Sequence, residues 1–170
     1  MTPGTKAQSL YHAFIALGSN LANPALQVRR AFADLSQLPA SRLLNCSAIY
    51  RSAPLGRLDQ PDFINAVAQI ETALTPHDLL KALLEIECRR GRVRESLNAP
   101  RILDLDLLLY ADLQCLKPGL TLPHPRMHQR AFVLQPLMEI APDCCIPGHG
   151  AVAELLAACA GQRIEREQPR

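Results

Sequence analysis

The sequence is short of lysine. Of its 18 basic residues only Lys6, Lys81 and Lys117 are lysines, and the rest are arginines. A net charge of +2 is too small to drive non-specific binding to nucleic acid or to a membrane surface, so neither partner is expected. The six cysteines, Cys46, Cys88, Cys115, Cys144, Cys145 and Cys159, form no C-x-x-C pair, which argues against a zinc ribbon or a thioredoxin-like site. No apolar stretch reaches the length of a membrane helix, and the opening MTPGTKAQSLYHAF does not read as a signal peptide. The expected compartment is the cytoplasm, with reduced cysteines serving as small core residues. G-x-x-x-x-G-K-[ST], G-x-G-x-x-G and the H-R-D loop are all missing, which removes the common nucleotide-binding motifs. There is no internal repeat, low-complexity segment or linker.

What is present suits one globular domain over residues 1–170, since 48% of the chain is hydrophobic and that length supports a core. Residues 1–11 and 162–170 read as loosely ordered tails. HAFIALGSN is a strand ending at a Gly turn. Asn23 and Pro24 open a helix through Val28, Phe32 and Leu35, stopped by Pro39. Residues 42–50 alternate as a second strand with Leu44, Cys46, Ala48 and Tyr50 on one side. FINAVAQIE is a third, with Ile64, Ala66, Ala68 and Ile70 sharing a face. Thr75 to Asp78 resembles a capping box ahead of a helix through Leu79, Leu83 and Ile86. The fourth strand lies in APRILDLDLLLY, residues 99–110. The order β-α-β-β-α-β predicts an α+β sandwich of the ferredoxin-like kind, with extra C-terminal helices near Phe132–Ile140 and Ala151–Cys159.

Asp104 and Asp106 interrupt the apolar run of that fourth strand. Alternation puts Leu103, Leu105, Leu107 and Leu109 toward the helices and both aspartates on the opposite face, about 7 Å apart along the strand. Phe63 and Asn65 of the third strand share that face. A D-x-D pair alone is more often a solvated strand face. Here it follows Arg89, Arg90, Arg92, Arg94 and Arg101. Arg89 and Arg90 suit a helix C-terminus; the other three lie beyond it. Guanidiniums for phosphate beside carboxylates for a hard cation are what phosphoryl transfer requires. TLPHPRMHQRAF adds His124, Arg126, His128 and Arg130, as phosphate ligands or as structural side chains.

Five blocks, FIALGSNL, YRSAPLG with DQPDFINA, GRVR, APRILDLDLLL and LPHPRMHQRAFVLQPLMEIAP, resemble in order and spacing the hydroxymethyl-dihydropterin pyrophosphokinases of folate biosynthesis. The resemblance runs from about Phe14 to Pro147. It implies transfer of pyrophosphate from ATP, the co-substrate, to the hydroxymethyl group of a reduced pterin, with release of AMP and help from two Mg²⁺ ions. By that resemblance Asp104 and Asp106 hold both metals, and Arg92 and Arg101 are catalytic contacts to the triphosphate. His124 and Arg130 also contact it. Leu107 and Thr121 line the nucleotide side. Phe63 and Phe132 stack on the pterin, Asn65 reads its edge, and Ser52, Ala53 and Leu55 assist. Glu87 matches an acidic residue near the metals. Two routes suit the hydroxymethyl proton: transfer to Asp104 or Asp106, or loss from a metal-polarised hydroxyl. The partners are then small molecules, and a monomer is expected.

The residues also differ from the enterobacterial members. RVRESLNAPR is one residue shorter, Asn98 stands in place of a tryptophan, Phe63 and Pro125 in place of tyrosines, and Gly119 in place of an arginine. An arginine-rich RNA-binding sheet would need aromatic residues where RILDLDLLLY has acids. A nucleotide sensor that had lost catalysis would not need Asp104, Asp106, Arg92, Arg101 and His124 together.

Overall fold

The computed structural model of the chain describes residues 8–93 and 98–168. Strand β1 (Tyr11–Ser19) leads to helix α1 (Pro24–Ser36), then β2 (Ser41–Cys46), β3 (Tyr50–Ser52) and β4 (Phe63–Thr72). Helix α2 (Pro76–Arg89) and β5 (Asp104–Tyr110) complete the central unit. A hairpin of β6 (Cys115–Lys117) and β7 (Leu120–Leu122) comes next, then a 3-10 turn at Met127–Gln129 and helix α3 (Ala131–Ile140). The small hairpin β8 (Cys145–Ile146) and β9 (Gly150–Ala151), helix α4 (Val152–Ala158) and β10 (Ile164–Arg166) end the chain.

The main sheet runs β10-β3-β4-β1-β5, with β2 also laid along β4, and every pairing in it is antiparallel. The fold is α+β and keeps the expected β-α-β-β-α-β plan, with the second strand divided into β2 and β3. Thr75 caps α2 as its sequence suggests: its Oγ1 accepts from the Asp78 amide at 3.1 Å and donates to Asp78 Oδ2 at 2.8 Å. Asn23 does not cap α1. It adopts φ 61° and makes no side-chain cap bond, so Pro24 alone marks that helix start.

One sheet face is packed by α1 and α2. Ile15 and Leu17, Ile64, Ala66, Ala68 and Ile70, and Leu103, Leu105 and Leu107 meet Val28, Leu35, Leu79, Leu83 and Ile86 in one core. The other face is covered along part of its length by α3 and α4, through Val67, Leu108, Leu109, Leu134, Leu137 and Val152. The uncovered remainder is where Asp104 and Asp106 stand.

Three local readings need correction. Leu109 does not continue the Leu103–Leu107 face. The pairing shifts between Phe14↔Leu109 and Ile15↔Leu107, so a bulge at Leu108 turns both Leu108 and Leu109 to the second core. The second strand is two strands. Its register shifts between Leu43↔Ile70 and Asn45↔Gln69, and it is Leu43 and Ile49, rather than Leu44, that pack against the first core. At the break Ser47 replaces the ladder locally: its Oγ accepts from the Val67 amide at 2.9 Å and its own amide donates to the Val67 carbonyl at 2.9 Å. Finally, the proposed tails are too generous. Tyr11 already opens β1, and residues 164–166 form β10, antiparallel to β3 with Ile164 opposite Ser52.

Candidate active site

Asp104 and Asp106 open β5 opposite Gly18 and Ala16 of β1. Both neighbours are small, so the sheet surface above them stays open. A Cβ on Gly18 would reach only ordinary contact, 3.7 Å from Asn65 Oδ1, so the glycine contributes floor space rather than a special backbone conformation. Above this floor lies a cleft of about 310 Å³. It is bordered by Asp104, Asp106, Arg101, His124 and Arg130, and by Ser52, Ala53, Leu55, Phe63, Asn65 and Phe132. A second hollow of about 260 Å³ is bordered by Leu107, Thr121, Gly119, Asp106 and His124. Asp106 and His124 belong to both, so the two hollows meet there. Arg92 borders neither and joins the site through Asp104.

The charges are arranged unequally around the two aspartates. Asp104 is clamped by cations: Arg92 Nη1 lies 2.9 Å from its Oδ1 and Arg101 Nη1 2.6 Å from its Oδ2. Arg92 also pairs with Glu87, a carboxylate on α2 that is only 1% exposed. Glu87 Oε1 accepts the Leu105 amide at 2.6 Å, which fixes the β5 backbone between the two aspartates. Burial pushes the Glu87 pKa up, against the pull of the Leu105 amide and Arg92. Burial opposes the charge of Arg92, but Asp104 and Glu87 outweigh it and raise its pKa, so it stays a cation.

Asp106 has no such clamp. Among the described residues its one basic neighbour within 4 Å is His124, with Nε2 3.9 Å from Oδ2. Desolvation raises the Asp106 pKa to about 7, helped by repulsion from Asp104 and Glu87. Its side chain still has 39% of its surface open to the cleft. Burial, with Arg130 nearby, lowers His124 to about 4. The ring is thus neutral at pH 7, and the approach to Asp106 is not an ion pair. His124 Nδ1 accepts the Arg126 amide at 3.2 Å, which assigns the ring proton to Nε2, facing the carboxylate.

At the other end of the cleft, Asn65 is 5% exposed and donates from Nδ2 to Ser52 Oγ at 2.8 Å. That bond orients the carboxamide. Phe63 and Phe132 border the same space, with the Arg130 guanidinium 5.5 Å from the Phe132 ring centre. The arginine run separates as its chemistry requires. Arg89 is exposed, Arg90 pairs with Asp34 at 2.7 Å, and Arg92 and Arg101 face Asp104. Arg94 lies outside the described residues.

Sequence reasoning missed the residues that join the loops around the cleft. The Arg101 amide donates to Asn20 Oδ1 at 2.8 Å, and Asn20 Nδ2 donates to Gln60 Oε1 at 2.9 Å and to the Pro61 carbonyl at 3.0 Å. Gln60 in turn donates to the Asn98 carbonyl at 3.0 Å. These contacts lie 38 to 81 residues apart in sequence, and no periodicity reports them.

A family model described as 7,8-dihydro-6-hydroxymethylpterin-pyrophosphokinase (HPPK) matches residues 14–142. The chain belongs to this family. It is 48% identical over 153 residues to the 2-amino-4-hydroxy-6-hydroxymethyldihydropteridine pyrophosphokinase of Pseudomonas aeruginosa, covering 90% of this chain and 94% of that one. It is 45% identical over 157 residues to the enzyme of the same name from Haemophilus influenzae, covering 92% and 98%. The fold is also similar to the wild-type HPPK-DHPS of Plasmodium falciparum solved with pteroate, with a TM-score of 0.70, 14% identity and coverage of 91% of this chain. The chain spans 43% of that longer protein. As an HPPK, the chain is an ATP-using transferase that carries pyrophosphate to hydroxymethyldihydropterin in folate biosynthesis. Among its described residues no helix is long and apolar enough to cross a membrane.

Proposed function

We propose that the two hollows are the two substrate sites of this transfer and that Asp104 and Asp106 are its metal ligands. The observation that carries the reading is that Asp106 and His124 border both hollows. A group passing from one substrate to the other must cross there. The donor set fits Mg²⁺, which takes one or two carboxylates and completes its shell with phosphate oxygens and water. Among the described residues no group of three or more acidic, His or Cys side chains gathers for a metal. Two Mg²⁺ ions bound there would neutralise the triphosphate and polarise the reacting oxygens.

The chain's own residues divide the work. Leu107 and Thr121 line the nucleotide side. Arg92, Arg101, His124 and Arg130 contact the triphosphate; neutral His124 donates from Nε2, and the arginines supply charge and bidentate geometry. Phe63 and Phe132 stack on the pterin, which suits a flat heterocycle. Asn65 reads the ring edge with its donor and acceptor, beside Ser52, Ala53 and Leu55. The terminal hydroxyl then attacks the β-phosphorus, its proton passing to Asp104 or Asp106 or leaving to water from a metal-polarised hydroxyl, while the bond from that phosphorus to the α-phosphate oxygen breaks and AMP leaves along the line of attack. Arg92 and Arg101 both reach Asp104, and phosphate oxygens and metal ions bound there would compete for these same groups. One domain spanning residues 1–170 does this as a cytoplasmic monomer.

The test is incubation with ATP, Mg²⁺ and hydroxymethyldihydropterin, following AMP. AMP forms in proportion to the pterin diphosphate, and EDTA stops it. Full activity in EDTA would remove the metal role. Wild-type turnover by Asp106→Ala would remove the site.

A further inference from the structure

Arg130 occupies the residue just before α3, with extended backbone at φ −121° and ψ 107°, and makes no side-chain cap bond. Ser, Thr, Asp or Asn at that position would accept a first-turn amide. Arginine has donors only, and its guanidinium lies in the cleft. The first-turn amides of a helix have no acceptor within it, so the Ala131 N–H needs a partner from elsewhere.

Gln162 supplies it from 31 residues away. The Ala131 amide donates to Gln162 Oε1 at 2.9 Å, and Gln162 Nε2 donates to the Gln129 carbonyl at 2.7 Å. One carboxamide thus holds the main chain on both sides of Arg130. Gln162 is itself anchored where α4 ends, its amide donating to the Cys159 carbonyl at 2.9 Å. Two residues later the chain enters β10 opposite Ser52. The turn leading to Arg130 is also braced by His128, whose ring stacks on His149 at 3.8 Å.

We infer that Gln162 is a positioning residue for Arg130: by capping α3 from outside, it leaves the cap position free for an arginine and fixes the backbone from which that arginine reaches the triphosphate. The inference rests on the reading of Arg130 as a phosphate contact. A long flexible side chain delivers its charge accurately only from a fixed origin, and small displacements at a reacting centre are costly.

A double-mutant cycle on AMP formation tests it. Gln162→Ala lowers kcat/KM for ATP about tenfold in the wild-type background and less than twofold in Arg130→Ala. A purely structural loss would act equally in both backgrounds, and that result overturns the inference, as does wild-type kinetics for Gln162→Ala. If Arg130→Ala alone retains wild-type kcat/KM, the assignment of Arg130 falls and the positioning role with it. That outcome is read from the single variant, separately from any failure of Gln162.

Discussion

The two faces of the central sheet are built from the same strands and obey different rules. The face toward α1 and α2 is apolar from Ile15 to Leu107 and closed along its length. The opposite face is closed only where Val67, Leu108 and Leu109 meet α3 and α4. Before the Leu108 bulge it carries Asp104, Asp106 and Asn65 under an open cleft. One strand thus serves stability and chemistry at once, because alternation separates the two by face and the bulge separates them along its length. On the closed face a side chain is worth what it buries, about 1.5–3 kcal/mol for a leucine. On the open face Asp106 is held against its own solvation, with its pKa raised to about 7.

Neutralising the open face should separate the two faces most strongly. Asp106→Ala should lower AMP formation by about 10³-fold or more, on the order of 4 kcal/mol of transition-state stabilisation, without lowering the melting temperature. Because the folded pKa of Asp106 is raised above its ordinary value of 3.8, ionisation favours the unfolded chain. Its contribution to stability is present below pH 4 and lost as pH rises toward 7. Denaturant unfolding of the metal-free protein should therefore show a smaller loss between pH 4 and pH 7 in Asp106→Asn than in wild type.

The closed face should respond in the opposite sense. Leu35→Ala, at a fully buried position on α1, should cost about 3 kcal/mol in denaturant unfolding while the folded enzyme keeps turnover within about twofold. A large loss of turnover at a temperature where it is folded would mean that the two faces are not independent. His124 sharpens the picture of the open face. With its pKa lowered to about 4, its contribution to stability is present above pH 6.5 and lost as pH falls toward 4. NMR of the metal- and nucleotide-free protein should give a His124 titration midpoint near pH 4. A midpoint at or above 6.5 would make it a cation beside Asp106. The smallest effect belongs to Thr75→Ala, which removes the α2 cap at about 1 kcal/mol with no change in kcat.

Alternation made both faces legible in the sequence wherever it was unbroken. Ile64 to Ile70, Leu103 to Leu107 and the pair Asp104 and Asp106 stand where a period of two puts them. It failed at Leu109 and at Leu44, because a bulge adds one residue and changes the face of every later residue in the strand. Ile164 to Arg166 looked like a tail because its edge pairing with β3 depends on a partner more than a hundred residues away. The site residues that carry charge or a ring could be picked out by type. Asn20, Gln60 and Gln162 could not, since an ordinary amide side chain becomes informative only when the fold brings distant main chain to it. Arg94 falls outside the described residues.

The central claim is that the acidic half of β5 gathers metal around the triphosphate. Electron paramagnetic resonance of Mn²⁺ added to the protein with a non-hydrolysable ATP analogue counts the ions bound. Two per chain in wild type, with at least one lost in Asp106→Ala, is the result this account predicts. Two ions bound equally by wild type and by Asp106→Ala would contradict it.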